Sequence, residues 1–459
     1  MSDGIKRAGS QPNRPAHADI PANRKPGFAT RAAATKILGA VVDRATPLDG
    51  MIDSEHGNGA YRSLSKGDQA LCRALILTAL RHKPQIDVAI SGLLDRPLPA
   101  GARALSHVLT IAAAQILYLD VPDHSAVDIA VEQANADPRN KRFAGLVNAV
   151  LRRLGRGKDK NLARIADVAS MPDWFFNRLE NIYGPEKAMA ISNAQLTPPS
   201  IDLSVKADPE GWAAKLGGTV LPTGSVRLDA PSGAIPEMEG FDTGEWWVQD
   251  AAAAIPAKLF GDLSGQRVID LCAAPGGKTA QLISQGGEVT ALERSKSRLK
   301  RLQQNLMRLQ LPVQAVAADM MAFQPEDGLY DAALLDAPCS STGTTRRHPD
   351  VLWTKTMDDI KKLAEVQYQM LRRAIDFVRP GGIVIFSNCS LDPKEGEEVV
   401  ERLISDGAPA ERTAFPAGQL ASLAHLFDAS GALRTTPADT FGDGATGLDG
   451  FYAAALKRL

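Results

Sequence analysis

Apolar strand-like segments alternate with helix-like segments through the C-terminal half of this 459-residue chain, and this pattern constrains its fold most. Strands are predicted at 267–271, 288–292, 314–317, 331–335, 382–386 and 451–456. Helices are predicted between most of them, at 276–285, 296–309 and 357–379. Apolar strands joined by helices are typical of a sheet that is buried on both faces. We therefore predict a doubly wound α/β domain with a mostly parallel sheet over residues 241–459.

The apolar pattern upstream of this region is helical. Residues 28–157 carry five stripes with a spacing of three or four, such as Leu105, Val108, Leu109, Ala112 and Ile116. This spacing predicts a compact all-α domain. Residues 158–240 are predicted to form a small α/β connecting region after a linker at 155–160, and residues 1–27 a disordered basic tail.

Composition excludes several classes of protein. Hydrophobic residues make up 44% and charged residues 23% of the chain, which is typical of a soluble globular protein. No apolar run approaches the roughly 20 residues of a bilayer span, and the N-terminus lacks the apolar core of a secretory signal. The four cysteines contain no CxxC pair, which argues against a disulfide framework and a metal site. We expect a cytoplasmic monomer with no membrane and no metal.

Positive charge is concentrated locally although the net charge is −1. Residues 139–160 carry eight Lys/Arg against one Asp, and residues 294–308 carry six Lys/Arg and no acid. Residues 1–25 carry five Lys/Arg against two Asp. Any one run could be a solvated face, but three favour a surface that follows a phosphate backbone.

A loop of small residues follows Asp270 and is the candidate cofactor site. It comprises Cys272, Ala273, Ala274, Pro275, Gly276, Gly277 and Lys278. Two glycines before a helix let backbone N–H groups approach a ligand closely. The loop has neither a GxGxxG fingerprint nor the opening glycine of a P-loop. The absence of a phosphate-binding motif favours S-adenosylmethionine, which contains no phosphate.

Two further acids end the next strands of the predicted sheet. Glu293 lies 23 residues after Asp270, where a carboxylate can accept hydrogen bonds from both hydroxyls of a ribose. Asp319 ends the third strand, within reach of an adenine amino group. A single acid after a strand is usually a helix N-cap, but three at successive strand ends favour a ligand site.

Two cysteines follow neighbouring strands. Cys339 lies in Asp336-Ala337-Pro338-Cys339 and Cys389 in Ser387-Asn388-Cys389. A thiolate that adds to carbon 6 of cytosine makes carbon 5 nucleophilic toward a methyl donor, and a second group can remove the carbon 5 proton. Asp336, if protonated, could donate to the pyrimidine edge. A buried cysteine is more often a small hydrophobe, which suits Cys72 and Cys272; the pattern itself does not order the roles of the other two.

These motifs resemble those of the Sun/Fmu-type family of bacterial 16S ribosomal RNA cytosine-5 methyltransferases, which has an N-terminal NusB-like domain. The similar segments cover most of the chain and include 143–152, 248–252, 270–279, 336–341, 346–350 and 449–452. The resemblance implies a NusB-like RNA-binding domain at 28–157 and a Rossmann-like S-adenosylmethionine-dependent catalytic domain. This chain departs from the family at Asn388, where Thr is usual, and at Glu293, where Asp is usual.

The resemblance also implies roles for individual residues. Cys389 would be the nucleophile, and Cys339 would assist proton loss and product release. Lys278 and Asp336 would contact the target base, and Arg298 would lie at the cofactor. Arg346, Arg347 and His348 would form a loop that faces RNA.

We therefore predict methylation of carbon 5 of a cytosine in 16S ribosomal RNA through a covalent cysteine–cytosine adduct. The alternatives are the same chemistry on transfer RNA, an RNA-binding assembly or antitermination factor with an inactive methyltransferase domain, and a methyltransferase that acts on protein or a small molecule. The target base must leave its stack to reach a thiol, so an unpaired or flipped cytosine is expected.

Overall fold

The computed structural model describes residues 24–53, 55–228, 233–326, 328–415, 420–441 and 444–459. Most of the predicted basic tail, residues 1–23, lies outside the described residues. The remainder of that segment packs on the helical region that follows. Arg24 contacts Glu132 at 3.5 Å and Lys25 contacts Asp128 at 3.2 Å.

The N-terminal region is all-α, as the apolar stripes predict. Its helices are α1 (Phe28–Arg44), α2 (Gly59–Arg62), α3 (Lys66–Arg81), α4 (Lys83–Ser91), α5 (Arg103–Tyr118), α6 (Asp123–Ala136) and α7 (Ala144–Arg156). Helix α5 is the central element, because apolar side chains on several of its faces are buried, including Leu105, Leu109 and Ile116. The surrounding helices each bury one apolar stripe against α5, and together they form one hydrophobic core.

The predicted linker at 155–160 is wrong. Helix α7 ends at Arg156, and α8 (Lys158–Ile165) starts two residues later. The Asn161 side-chain amide donates to the Gly157 carbonyl at 3.0 Å, which satisfies a backbone acceptor at the junction. Helices α9 (Asp173–Tyr183) and α10 (Pro185–Ala194) follow, and both contribute to a core that includes Leu352 and Leu391 of the C-terminal region.

A small antiparallel sheet follows these helices. It contains β1 (Ile201–Val205), β2 (Gly218–Val220), β3 (Val226–Leu228) and β4 (Trp246–Val248) in the order β2-β3-β1-β4, with α11 (Pro209–Leu216) between β1 and β2. Strand β4 pairs with β1, and Leu203 is aligned with Val248. The predicted end of the connecting region at 240 is therefore too early, because this sheet continues through residue 248.

The C-terminal region contains the predicted α/β sheet. Its elements are α12 (Ile255–Lys258), β5 (Arg267–Asp270), α13 (Gly277–Ser284), β6 (Glu288–Glu293), α14 (Lys296–Arg308), β7 (Gln314–Ala317), β8 (Tyr330–Asp336), α15 (Val351–Thr354), α16 (Met357–Phe377), β9 (Val378–Asn388), α17 (Glu397–Ser405), β10 (Ala410–Thr413), β11 (Leu433–Thr435) and β12 (Phe451–Arg458). The strand order is β10-β12-β9-β8-β5-β6-β7, and β11 also pairs with β12. Strands β5 to β9 are parallel, whereas β12 is antiparallel to its neighbours.

The parallel strands bring the polar residues that follow them to one edge. Asp270, Glu293 and Asp336 are the last residues of β5, β6 and β8. Because β8 and β9 are neighbours, with Asp336 aligned to Ser387, the segments that carry the two candidate cysteines leave the sheet side by side. Ligands of open α/β sheets bind at this edge.

Candidate active site

Asp270 is the buried carboxylate at the start of the candidate cofactor loop. Its Oδ2 accepts a hydrogen bond from the Thr279 hydroxyl at 2.7 Å, and its Oδ1 is buried with no partner among the described residues. Burial raises the pKa of Asp270 to about 7, because the charged form loses solvation. A buried oxygen without a partner is costly in the free protein and is suited to accept from a ligand donor.

The loop after Asp270 forms one wall of a cleft of about 200 Å³. The cleft is lined by Val248, Gln249, Asp250, Ala253, Asp270, Cys272, Ala273, Ala274, Pro275, Gly277, Lys278 and Asp336. Gly276 precedes α13 with φ +105°, a left-handed conformation that favours glycine. Most of the predicted cofactor residues are thus brought together in one cleft.

Glu293 and Arg298 lie beside this loop. The Arg298 guanidinium approaches Glu293 Oε2 at 3.2 Å and donates to the Ala274 carbonyl at 2.7 Å. Glu293 Oε2 is buried and has no hydrogen bond of good geometry among the described residues. Asp319 is more exposed, and its Oδ1 accepts from the backbone N–H of Met321 at 3.0 Å. Its role toward a cofactor stays a prediction.

The two cysteines form a close pair. The Sγ atoms of Cys339 and Cys389 lie 3.4 Å apart, which is beyond the roughly 2.05 Å of a disulfide and within reach of a thiol hydrogen bond. The hydrogen bond with Cys389 and burial raise the pKa of Cys339 well above its usual value. Either sulfur can be the donor in this contact, so the contact alone does not order the roles of the two thiols.

Lys278 and Asp336 form an ion pair at the edge of the cleft. Lys278 Nζ lies 2.7 Å from Asp336 Oδ2, and the Ser387 hydroxyl donates to Asp336 Oδ1 at 3.0 Å. Both oxygens of Asp336 accept hydrogen bonds in this arrangement, so Lys278 is the donor of the pair. From the sequence, a donor role for Asp336 was considered only for its protonated form.

The loop at 346–348 differs from its prediction. The Arg346 side chain is only 4% exposed and contacts Asp449 at 3.0 Å, and Arg347 contacts Asp250 at 2.5 Å. Arg346 is enclosed by these buried acids, so the expectation that it faces RNA does not fit its placement. The Arg347 side chain is 22% exposed, and its role toward RNA stays a prediction. The His348 side chain is 44% exposed.

Glu395, a buried acid that contacts both cysteine-bearing loops, was not predicted from the sequence. It accepts hydrogen bonds from the backbone N–H of Ser340 at 2.8 Å and from the Ser390 hydroxyl at 2.6 Å. Glu395 lies six residues after Cys389, just before the apolar stripe of α17. That position indicated a helix start, so the local pattern offered little signal for a site residue.

Within the described ranges, the side chains form no cluster of His, Cys, Asp and Glu suited to a metal ion. Over the same residues, none of the helices is both long and apolar enough to cross a membrane.

Solved structures resemble this fold. A structure named PH0851 aligns with a TM-score of 0.68 over 95% of this chain and 99% of its own, at 20% identity. A structure of NSun6 from Pyrococcus horikoshii with SFG aligns with a TM-score of 0.53 over 62% of this chain and 98% of its own, at 19% identity. At these identities the likeness supports the fold.

Sequence comparison identifies the family. The family described as 16S rRNA methyltransferase RsmB/F matches residues 260–457, and the NusB family matches residues 29–156. Ribosomal RNA small subunit methyltransferase B of Vibrio vulnificus is 32% identical over 448 residues, which cover 93% of this chain and 99% of the relative. The protein of the same name from Xanthomonas campestris pv. campestris is 35% identical over 452 residues, which cover 94% and 98%. The chain therefore belongs to the RsmB/F family of 16S rRNA methyltransferases and carries an N-terminal NusB domain.

Proposed function

We propose that this protein methylates carbon 5 of a cytosine in 16S ribosomal RNA, with S-adenosylmethionine as methyl donor and a covalent adduct to Cys389. The close pair of thiols on the segments that follow β8 and β9, together with the Lys278–Asp336 ion pair at the end of β8, is the observation that carries the proposal. The names of the relatives support ribosomal RNA as the substrate.

The reaction begins when the Cys389 thiolate adds to carbon 6 of the cytosine. A carbon–sulfur bond forms, and the electron pair of the 5,6 double bond shifts toward carbon 5 and the pyrimidine edge. Lys278 donates a hydrogen bond to that edge and stabilises the added charge, while Asp336 holds the lysine in place. S-adenosylmethionine, when bound, supplies the electrophilic methyl group that carbon 5 takes up.

Cys339 then acts in product release. The hydrogen bond with Cys389 is the largest cause of its raised pKa. Once the Cys389 sulfur is bonded to carbon 6, that cause is removed, so Cys339 releases its proton to water and, as a thiolate, takes the proton from carbon 5. The electrons of the broken carbon–hydrogen bond restore the double bond, and the Cys389 thiolate leaves.

The residues around the cleft fit S-adenosylmethionine. Asp270 Oδ1, which has no partner among the described residues, and Glu293 Oε2, which has only the Arg298 contact at 3.2 Å, are buried at the ends of adjacent strands and suit the ammonium and hydroxyl donors of that molecule. Arg298 and the loop at 272–278 complete the site, and Asp319 is the candidate contact for the adenine amino group. His348, the exposed member of its loop, remains the candidate contact to RNA.

The test follows the covalent adduct. Wild type, Cys339→Ala, Cys389→Ala and a control, Cys72→Ala, are incubated with 16S ribosomal RNA and methyl-labelled S-adenosylmethionine. Cys72 is a matched control because it is a buried core cysteine of the helical region. We expect a labelled protein–RNA band under denaturing conditions only with Cys339→Ala, because release fails there after methyl transfer.

Other outcomes refute parts of the proposal. Methylation by Cys389→Ala near the wild-type rate would contradict its role as nucleophile. Free turnover of Cys339→Ala without a trapped complex would contradict its role in release. Labelling of transfer RNA but not 16S RNA would change the substrate, and absence of cofactor binding in calorimetry would favour an inactive methyltransferase domain.

A further inference from the structure

Glu395 is a fully buried carboxylate with hydrogen-bond donors on several segments. Its Oε1 accepts from the Ser340 backbone N–H at 2.8 Å and from the Gln367 side-chain amide at 3.0 Å. Its Oε2 accepts from the hydroxyls of Ser340 and Ser390. Both oxygens are thus satisfied inside the protein, so Glu395 has no need of a ligand.

These bonds join the two cysteine-bearing loops. Ser340 directly follows Cys339, and Ser390 directly follows Cys389. The Ser340 and Ser390 hydroxyls also lie 3.2 Å apart. Asn388 directly precedes Cys389, and its side-chain amide donates to the Glu395 backbone carbonyl. The residues on both sides of Cys389 therefore form hydrogen bonds with Glu395. Gln367 from α16 also donates to the Pro338 carbonyl at 3.0 Å, which extends the link to the residue before Cys339.

We propose that Glu395 is a positioning residue that holds the Cys339 and Cys389 loops together and so maintains the contact between the two thiols. The inference rests on the proposed function for its catalytic consequence. The spacing of the thiols itself can be tested without RNA. Glu395 bonds to helix α16 and to both loops.

The carboxylate also acts on Cys339 through its charge. Cys389 and Glu395 are the titratable groups whose charges act on Cys339, and both raise its pKa. Neutralising Glu395 removes one of these contributions and should lower the pKa of Cys339. A residue with only a packing role would not produce that shift.

The first experiment measures the spacing with phenylarsine oxide. One arsenic forms bonds to the sulfurs of two neighbouring thiols, and its oxygen leaves as water with the two thiol protons. Stable retention of the arsenical therefore requires both thiols at close range. We expect the wild type to retain one arsenical against excess monothiol, and Glu395→Ala to lose that retention while iodoacetamide still modifies each thiol. Cys389→Ala lacks one of the two thiols and therefore gives the value for complete loss of arsenical retention. Glu398→Gln is the matched control, because Glu398 is a half-exposed acid on α17 that pairs with Lys394.

The second experiment measures turnover and alkylation. In Glu395→Ala, kcat should fall roughly 100-fold with KM for RNA unchanged, as expected for a misplacement of about 1 Å in the reacting groups. If Glu395→Ala does not fold, Glu395→Gln replaces it, since the amide keeps the shape and removes the charge. In Glu395→Gln, the pH profile of Cys339 alkylation should shift to lower pH.

Two results overturn the inference. One is a folded Glu395→Ala that retains the arsenical and turns over as wild type does. The other is a folded Glu395→Gln with an unchanged alkylation profile and wild-type turnover. Failure of the wild type to methylate RNA would instead refute the proposed function, and the arsenical measurement would still decide the role of Glu395.

Discussion

The ion pair between Arg178 and Asp392 offers a sharp test of how the nucleophile loop is supported. Arg178 lies on α9, and its Nε and Nη2 each contact an oxygen of Asp392 at 2.8 Å. Asp392 is three residues beyond Cys389, and its side chain is completely buried, whereas that of Arg178 is 26% exposed. Replacement of Arg178 by Met therefore leaves a buried carboxylate without its cation.

The expected loss of unfolding free energy follows from the burial of this ion pair. Removal of one partner of a buried ion pair costs about 3–5 kcal/mol. The lower end applies here, because Asp392 keeps a hydrogen bond from the Lys394 backbone N–H at 3.0 Å and water can reach the arginine site. We expect Arg178→Met to lower the free energy of unfolding by about 3 kcal/mol. The double variant with Asp392→Asn should lose less, because no uncompensated charge remains.

The assay is urea unfolding followed by tryptophan fluorescence, with both single variants and the double variant. A coupling energy of about 1–3 kcal/mol between the two sites is expected. Arg139→Met is the control, because Arg139 is an 83% exposed residue paired with Asp137, and its loss should not change stability measurably. The reasoning is refuted if Arg178→Met lies within about 0.5 kcal/mol of wild type, the range of ordinary surface substitutions.

Three further predictions concern the cofactor and base sites. Burial raises the folded-state pKa of Asp270 to about 7, above roughly 3.9 in an unfolded chain, so its contribution to the unfolding free energy should fall as pH rises from about 4 to about 7. Urea unfolding at several pH values should show that Asp270→Asn removes this fall. Equal slopes of unfolding free energy against pH in wild type and variant would contradict the raised pKa of Asp270. Gly276→Ala places a side chain at φ +105°, which should cost about 1–3 kcal/mol and weaken S-adenosylmethionine binding in calorimetry; unchanged affinity and stability would contradict the strain argument. Lys278→Met should lower single-turnover methyl transfer roughly 10²- to 10³-fold with unchanged RNA binding, and near wild-type transfer would exclude Lys278 as the donor.

Much of the fold follows from local patterns. The predicted strand at 314–317 coincides with β7, and the other predicted strands overlap β5, β6, β8, β9 and β12. Strands β10 and β11 were missed, because they are three or four residues long and mix polar with apolar residues. The linker at 155–160 was wrong because its glycines and charges are compatible with a helix junction that tertiary contacts stabilise. Composition alone cannot distinguish a linker from a helix junction.

Local patterns likewise identified some residues of the candidate site and not others. Asp270 and the two cysteines were identified because each follows an apolar strand. Arg346 and Arg347 were expected to face RNA because the family resemblance implied it. Their buried partners, Asp250 and Asp449, are about one hundred residues away in sequence, so no local pattern could reveal them.

The sequence by itself determined the alternation of strands and helices, the order of the motifs and the residue types that could carry the chemistry. These depend on periodicity and on short-range spacing, which a single chain segment contains. Only the tertiary structure decided that the Cys339 and Cys389 sulfurs lie 3.4 Å apart and that Glu395 bonds to both loops. Those contacts depend on the register of β8 against β9 and on the docking of α16, which join residues that are distant in sequence.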